Sequence, residues 1–197
     1  MEKEFLIKIA EKCEKERVRL VLDECFVQFL TSGEEASMQL ETGRFRYLFV
    51  LQAFTKIYAV PGIRLGYGIS SDKALLERME TVRQPWSVST PAQAAGLSAL
   101  KEDHREEQTR QLVKSERERM EKELENLRIE YIPSEANFLL FNSEINWFEE
   151  LKKRGILIRD CANYRGLGNG WYRLAVRLPE ENDRLLECMK QVLNERS

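Results

Sequence analysis

The chain has 197 residues, of which 43% are hydrophobic and 32% charged, as is ordinary for a globular protein with a core. Its net charge of −2 comes from interspersed acids and bases, which excludes a basic surface for nucleic acid or a polybasic membrane patch. There is no apolar run near the ~20 residues of a bilayer span, and the start, M-E-K-E, is unlike a signal peptide, so a cytoplasmic protein is expected. The four cysteines are far apart in sequence and His104 is the only histidine, so neither a metal site nor a disulfide framework is expected.

Strand and helix patterns alternate along the first half of the chain. Short apolar runs rich in β-branched and aromatic residues predict strands, and longer runs with apolar residues at helical spacing predict helices. Ser71 and Asp72 can cap the second helix. The predicted elements are a helix over 3–16, strands over 18–23, 47–54 and 65–70, and a helix that ends near Val82. This alternation favours the α/β class.

The second half begins after a break at Q-P-W-S-V-S-T-P, residues 84–91. Pro91 suits the first turn of a helix that runs to Leu100, and the charged stretch 104–127 carries a helical apolar stripe that predicts core packing. We expect a partial large domain over residues 1–103. The long helix would connect it to a small α+β domain, and residues 104–197 comprise this helix and the small domain. The other predicted elements are strands over 129–134, 138–142, 155–161 and 171–177, and helices over 147–154 and from near Glu180.

The most informative segment is Q-A-F-T-K-I-Y-A-V-P-G-I-R-L-G-Y, residues 52–67. It places Lys56 after a predicted strand and Arg64 eight residues later, beyond a turn at Pro61-Gly62. A lysine presented from a strand end onto a loop suits covalent chemistry, and an arginine brought back beside it suits an anion. Together they indicate an aldehyde cofactor that carries a phosphate, whereas a lysine alone is usually a solvated surface residue.

This segment and the motif D-E-C-F-V-Q-F, which begins at Asp23, resemble the fold type I pyridoxal-phosphate-dependent aminotransferase superfamily (class I/II) and its decarboxylase relatives. The resemblance implies an incomplete fold type I large domain and an α+β small domain, with pyridoxal 5′-phosphate as the cofactor. Lys56 would attach the cofactor and act as general acid and base, and Asp23 would keep the ring nitrogen protonated. Arg64 and Thr55 would hold the cofactor phosphate.

Each of these residues also has a simpler interpretation. Asp23 by itself is a strand-end carboxylate that caps a turn, and Arg64 by itself is half of a surface ion pair. The chain also departs from the family pattern three residues before the lysine, where Ala53 replaces the usual serine or threonine and one phosphate contact is missing.

Arginines in the second half are the candidates for binding substrate. Arg159 and Arg173 fall where relatives hold the anionic groups of the substrate, and Asn137 belongs to a string common to the family. Alternation along the predicted strand places Arg173 and Arg177 on one face. For Arg177, a solvated strand face is an equally good interpretation.

Within the superfamily, the chain looks most like the threonine-phosphate decarboxylases of the cobalamin pathway. Phe26 stands where many aminotransferases carry a tyrosine, and P-W-S-V at 85–88 and R-D-C-A-N-Y-R-G-L-G at 159–168 match the decarboxylase pattern. In that family, two substrate arginines would hold the substrate phosphate and leave the carboxylate free to be lost. An aminotransferase instead clamps the carboxylate and removes the α-proton, and an aminotransferase of the histidinol-phosphate type is the alternative.

The resemblance begins in the middle of the family's chain, so the part that supplies a Gly-rich loop and a helix N-terminus for the cofactor phosphate is not represented. A third interpretation is therefore a non-catalytic fragment, and we expect little or no activity from the isolated chain. The strands over 18–23 and 47–54 are almost continuously apolar, as strands covered on both faces are. Self-association into a homo-oligomer, or pairing with a chain that supplies the first half, would cover them.

Overall fold

The computed structural model describes residues 2–102 and 104–196. The chain divides into two compact units, Met1–Thr109 and Arg110–Ser197, called here the N-terminal and C-terminal units. The boundary expected between residues 103 and 104 involves Asp103, which lies outside the described residues, so this boundary stays a prediction. In the part of the chain that is described, no helix combines the length and apolar character needed to cross a bilayer.

A three-stranded sheet forms the centre of the N-terminal unit. Its strands are β1 (Leu20–Asp23), β2 (Leu48–Ala53) and β3 (Gly66–Ile69), in the order β1-β2-β3. β1 runs parallel to β2, with Asp23 opposite Leu51, and β3 runs antiparallel to β2. Because β1 and β2 are parallel, their carboxyl ends lie at the same edge of the sheet. That edge carries Asp23 and, just beyond β2, the lysine segment.

The two faces of this sheet differ in burial. Helix α1 (Lys3–Glu16) packs against one face and contributes to a cluster of buried side chains: Ala10, Met38, Phe45, Leu48 and Val50. On the other face, Val21 is 54% exposed and Leu51 is 37% exposed. Phe49 on this face is buried, and its ring lies so close to Gly68 that an added Cβ would approach the ring to 2.3 Å. One apolar face of the sheet is therefore open within the N-terminal unit.

Further helices of the N-terminal unit are α2 (Phe54–Ile57), which lies between β2 and β3, and α3 (Lys73–Val82) and α4 (Thr90–Ala99), which follow β3. Asp72 caps α3 by accepting a hydrogen bond from the Leu75 N–H at 3.3 Å, which confirms the predicted cap. The prediction that Lys56 lies on a loop is wrong, because α2 begins directly after β2. The Phe54 N–H bonds the Leu65 carbonyl, and the Phe54 carbonyl accepts from the Tyr58 N–H at 3.3 Å, which closes a helical turn.

The C-terminal unit contains a four-stranded antiparallel sheet and three helices. Its strands are β4 (Tyr131–Ile132), β5 (Phe138–Asn142), β6 (Arg159–Asp160) and β7 (Trp171–Ala175), in the order β4-β5-β7-β6. The helices are α5 (Arg105–Asn126), which begins before the unit boundary, α6 (Trp147–Lys153) and α7 (Pro179–Asn194). Fully buried side chains from the strands and helices form its core: Met120, Leu124, Leu139, Phe141, Trp147, Leu151, Leu174, Met189 and Val192.

The strand predicted over 155–161 is wrong for most of its length, since only Arg159–Asp160 pairs with β7. Gly155 takes a positive φ of 76°, and the N–H groups of Gly155 and Ile156 bond the carbonyls of Lys152 and Leu151. These bonds end α6 and use the residues that the apolar pattern assigned to a strand. The mixed α/β architecture otherwise agrees with the predicted class.

Candidate active site

Lys56 lies on α2, immediately beyond the carboxyl end of β2. Its side chain is exposed, and its Nζ lies 5.3 Å from the centroid of the Phe26 ring. A cation over an aromatic face is attracted by the ring quadrupole, so Phe26 restrains the position of the amine. Phe26 follows β1 in the motif D-E-C-F, and the structure thereby brings two sequence-distant motifs together at one sheet edge.

Asp23 ends β1 at the same edge. Its Oδ1 accepts a hydrogen bond from the Cys25 N–H at 3.0 Å, so it caps the turn that leaves β1. Hydrogen bonds from the Cys25 thiol and backbone lower the pKa of Asp23, and the positive charge of Lys56 lowers it further. The Asp23 carboxylate is therefore ionised at neutral pH and lies within electrostatic range of the lysine.

The thiol of Cys25 is affected by the charges of both Asp23 and Lys56. Burial, followed by the hydrogen bond to Asp23, raises the pKa of its thiol to about 11, and the charge of Lys56 opposes the shift. The thiol stays protonated at neutral pH and can donate to Asp23. Sequence reasoning assigned no role to Cys25, and only the turn geometry shows its contact with the carboxylate.

Arg64 and Thr55 flank the lysine in sequence. Arg64 is exposed, takes a positive φ of 57°, and donates from its Nη1 to the Pro61 carbonyl at 3.2 Å. Thr55 is half-buried on α2 beside Lys56. The hydrogen bond from the Phe54 N–H to the Leu65 carbonyl, 3.2 Å, joins α2 to the arginine segment. Thr55 and Lys56 on α2 and Arg64 on the arginine segment thus lie on two segments that are joined by a backbone hydrogen bond.

An aromatic cluster supports α2. The rings of Phe54 and Tyr58 stack with centroids 5.4 Å apart, and Tyr67 lies 5.8 Å from Phe54. The Tyr58 hydroxyl donates to Glu106 at 2.7 Å. Burial and this bond raise the pKa of Tyr58 above its ordinary value, so the hydroxyl remains a donor. These contacts fix the helix that carries Lys56.

The candidate substrate arginines lie side by side in the C-terminal unit. Arg159 on β6 and Arg173 on β7 are paired across the two strands. Arg159 lies over the Tyr164 ring and donates to Asn163 at 3.0 Å, while Arg173 is half-buried over the Phe138 ring at 5.1 Å. Residues directly opposite each other on neighbouring strands project from the same face of the sheet, so both arginines are available to one anion.

Two other residues of this region have structural contacts. Arg177 is exposed and pairs with Glu181 at 2.7 Å, which favours the interpretation of a solvated side chain. The carbonyl of Asn137 accepts from the Val176 N–H at 2.9 Å and extends the pairing of β5 with β7.

The sequence pattern of the Aminotransferase class I and II family matches residues 1–188, and the chain belongs to this family. It is 36% identical to the threonine-phosphate decarboxylase of Salmonella typhimurium over 98% of this chain and 53% of that protein. It is 37% identical to histidinol-phosphate aminotransferase 1 of Archaeoglobus fulgidus over 88% of this chain and 52% of that protein. The chain thus spans about half the length of these relatives.

Solved structures agree with this assignment. The histidinol-phosphate aminotransferase of Clostridium acetobutylicum superposes with a TM-score of 0.92 at 30% identity, over 99% of this chain and 60% of that chain. The L-threonine-O-3-phosphate decarboxylase of Porphyromonas gingivalis superposes with a TM-score of 0.86 at 23% identity, over 98% and 60%, and shows the shared fold. The predicted superfamily and the predicted incomplete fold are confirmed.

Enzymes of this family depend on pyridoxal 5′-phosphate, and the histidinol-phosphate aminotransferase of Sinorhizobium meliloti was solved in complex with it. The N-terminal unit has side chains that fit the groups of this cofactor. Lys56 offers an exposed primary amine for the aldehyde, and Asp23 offers a carboxylate of lowered pKa for the ring nitrogen. Arg64 offers an exposed guanidinium for the phosphate.

Proposed function

We propose that the chain is the lysine-bearing part of a pyridoxal-phosphate-dependent enzyme that acts on a phosphorylated amino acid, as threonine-phosphate decarboxylase does. The observation that carries this proposal is the placement of an ionised Asp23 and an exposed Lys56 at one sheet edge, within electrostatic range of each other. The family membership and the two decarboxylase relatives, at 36% and 34% identity, support it.

Each candidate site residue of the N-terminal unit has a defined role in this proposal. When bound, the cofactor supplies an electron sink for the bonds at the substrate α-carbon. Lys56 attaches it, and the released amine can then hold or return a proton near that carbon. Asp23 stays ionised and holds a proton on the ring nitrogen. Arg64 and Thr55 bind the cofactor phosphate by charge-assisted and hydroxyl hydrogen bonds.

The paired arginines are compatible with decarboxylation, which we favour over transamination because of the sequence motifs. If Arg159 and Arg173 bind the substrate phosphate, the substrate carboxylate is left without a cationic partner and can leave as carbon dioxide. In the alternative, a histidinol-phosphate-type aminotransferase, an arginine holds an anionic group while Lys56 removes the α-proton. The relative from Archaeoglobus fulgidus, at 37% identity, keeps this alternative open.

Ligand binding distinguishes the two reactions without turnover. The cofactor-loaded chain is titrated with O-phosphothreonine and with histidinol phosphate, and the visible absorbance of the bound cofactor is followed. The proposal predicts a spectral response to O-phosphothreonine at lower concentration. A response to histidinol phosphate alone would favour the aminotransferase, and no response to either would contradict a site for phosphorylated substrates.

The open sheet face indicates a protein partner for the N-terminal unit. Val21 and Leu51 are exposed there, and α3 has Leu76, Met79 and Val82 exposed as well. Apolar patches larger than a few hundred Å² are rarely left open on monomers. We infer that this face binds a second copy or a chain that supplies the rest of the family's length. We also infer little or no turnover by the isolated chain. The partner would supply further groups that position the cofactor and the substrate, and such positioning accounts for much of an enzyme's rate.

Light scattering over a range of concentrations tests the partner directly. A molecular mass above that of one chain, or exposed apolar surface detected by dye binding, is expected. A stable monomer that binds no dye would contradict this part of the proposal.

A further inference from the structure

A buried carboxylate lies next to Asp23. Glu24 is 8% exposed, and both of its oxygens accept hydrogen bonds. Oε1 accepts from the Met38 N–H at 2.8 Å, and Oε2 accepts from the Ser37 hydroxyl at 2.5 Å and from the Gln52 amide at 3.0 Å. A buried carboxylate is tolerated only when such donors replace its hydration, so this arrangement is a specific one.

These bonds tie two chain segments to the end of β1. Ser37 and Met38 come from the polar connection before β2, and Gln52 belongs to β2 itself, four residues before Lys56. The Glu24 N–H also bonds the Leu51 carbonyl at 2.9 Å, and Gln28 donates to the Gln52 side chain at 2.8 Å. The turn that follows Asp23 is therefore bonded at its backbone and its side chain to the strand that leads into α2.

We propose that Glu24 is a positioning residue for the site, which fixes the turn over residues 24–26 so that the Asp23 carboxylate and the Phe26 ring stay against Lys56. This inference rests on the proposed function for its purpose, but the positioning can be measured without cofactor. Glu24 touches neither Lys56 nor a ligand in this account. It acts through the turn, which is flanked by Asp23, whose pKa the charge of Lys56 lowers, and ends at Phe26, whose ring lies against the lysine.

Both Glu24 oxygens serve as acceptors, because the Met38 N–H, the Ser37 hydroxyl and the Gln52 amide all donate to them. The Met38 N–H has a fixed direction, so glutamine at this position would keep its oxygen on Met38 and turn its NH2 group toward Ser37 and Gln52. The Ser37 hydroxyl would then have to accept instead of donate, and Gln52 could accept only if its amide and that of Gln28 both rotate. Glu24→Gln therefore forces this buried network to reorganise, and we expect the reorganisation to loosen the turn.

Cys25 is a reporter inside the turn. Burial and the bond to Asp23 raise the pKa of its thiol to about 11, so any loosening that admits water or separates it from Asp23 moves this value down. The rate of alkylation of Cys25 by iodoacetamide is measured against pH by peptide mass spectrometry, with Cys188 in the C-terminal unit as an internal reference. Asp72→Asn is the matched control, since Asp72 is 6% exposed in the same unit and is tied to Arg19 and Arg46.

For Glu24→Gln, we expect the midpoint of the Cys25 profile to fall toward its ordinary value of 9.0. For Asp72→Asn, which also removes a buried carboxylate, we expect an unchanged profile. Ser37→Ala removes one donor and keeps the charge, so it should give a smaller shift in the same direction and remains informative if Glu24→Gln fails to fold. Unchanged Cys25 profiles in both Glu24→Gln and Ser37→Ala would overturn the proposal. A shift in Asp72→Asn equal to that in Glu24→Gln would overturn it as well.

Trapping of pyridoxal 5′-phosphate separates this inference from the proposed function. After incubation with the cofactor and borohydride reduction, Glu24→Gln should carry less label on Lys56 than Asp72→Asn does. If the unsubstituted chain takes up no label, the proposed function fails while the Cys25 profiles still decide the role of Glu24. If Glu24→Gln is labelled as fully as the control, the positioning role is overturned even where the cofactor binds.

Discussion

Replacing Cys25 by serine should make the chain less sensitive to alkaline conditions. The thiol has a pKa of about 11 in the folded chain against an ordinary value of 9.0, because the turn buries it and Asp23 accepts from it. The folded state therefore holds the thiol proton after the unfolded state has lost it. Stability falls as pH rises above 9, and the loss is complete when pH passes the folded value of about 11.

The size of the effect follows from linkage. One pKa unit corresponds to about 1.4 kcal/mol, so near pH 10 the ionised unfolded thiol removes roughly 1.4 kcal/mol of stability from the natural chain. Serine does not ionise in this range, so the Cys25→Ser variant escapes the loss. The free energy of unfolding in urea is measured for both proteins near pH 7 and about pH 10, and the difference between them should change by about that amount.

A second substitution identifies the cause. In an Asp23→Asn background, the pH-dependent part of the Cys25→Ser difference should shrink without vanishing, since burial is the larger of the two causes. A Cys25→Ser difference that is the same at both pH values would refute the described turn, because an exposed thiol free of Asp23 has no reason to keep its proton.

Three further outcomes are expected. Leu174→Ala should lower the free energy of unfolding by about 2–5 kcal/mol in urea denaturation, since Leu174 is fully buried in the core of the C-terminal unit, and a loss below about 1 kcal/mol would contradict that packing. Gly68→Ala should cost about 1–3 kcal/mol, because its Cβ would meet the Phe49 ring, and an unchanged melting curve would show that the ring is free to move. Arg173→Ala should abolish the spectral response of the cofactor-loaded chain to O-phosphothreonine while Arg177→Ala preserves it, and equal losses would place Arg177 in the site.

Much of the fold follows from local patterns. Helix α1 and strand β5 occupy the predicted residues, and the Asp72 cap was recognisable because a short acceptor side chain precedes an amphipathic run. The sequence-based prediction of an element was wrong where other hydrogen bonds compete with an apolar pattern. G-I-L-I-R-D-C has the composition of a strand, but Gly155 and Ile156 close α6 instead.

The candidate site was predictable to the extent that it depends on motifs. Lys56, Asp23 and Arg64 are recognisable because the motifs that contain them resemble those of the family, whereas Glu24 is not. A glutamate after a strand is usually solvated, and only the folded chain shows that donors from Ser37 and Gln52 surround it. Sequence spacing also gave no indication that Phe26 would lie over the lysine.

Borohydride reduction of the chain after incubation with pyridoxal 5′-phosphate, followed by peptide mapping, shows whether Lys56 attaches the cofactor. Among the described lysines, only Lys56 combines a strand end, an ionised Asp23 and the Phe26 ring. We therefore predict one labelled peptide, containing Lys56, and loss of visible absorbance in Lys56→Ala but not in Lys73→Ala. A label on Lys73 or Lys101, or no label above that of a denatured control, would contradict it.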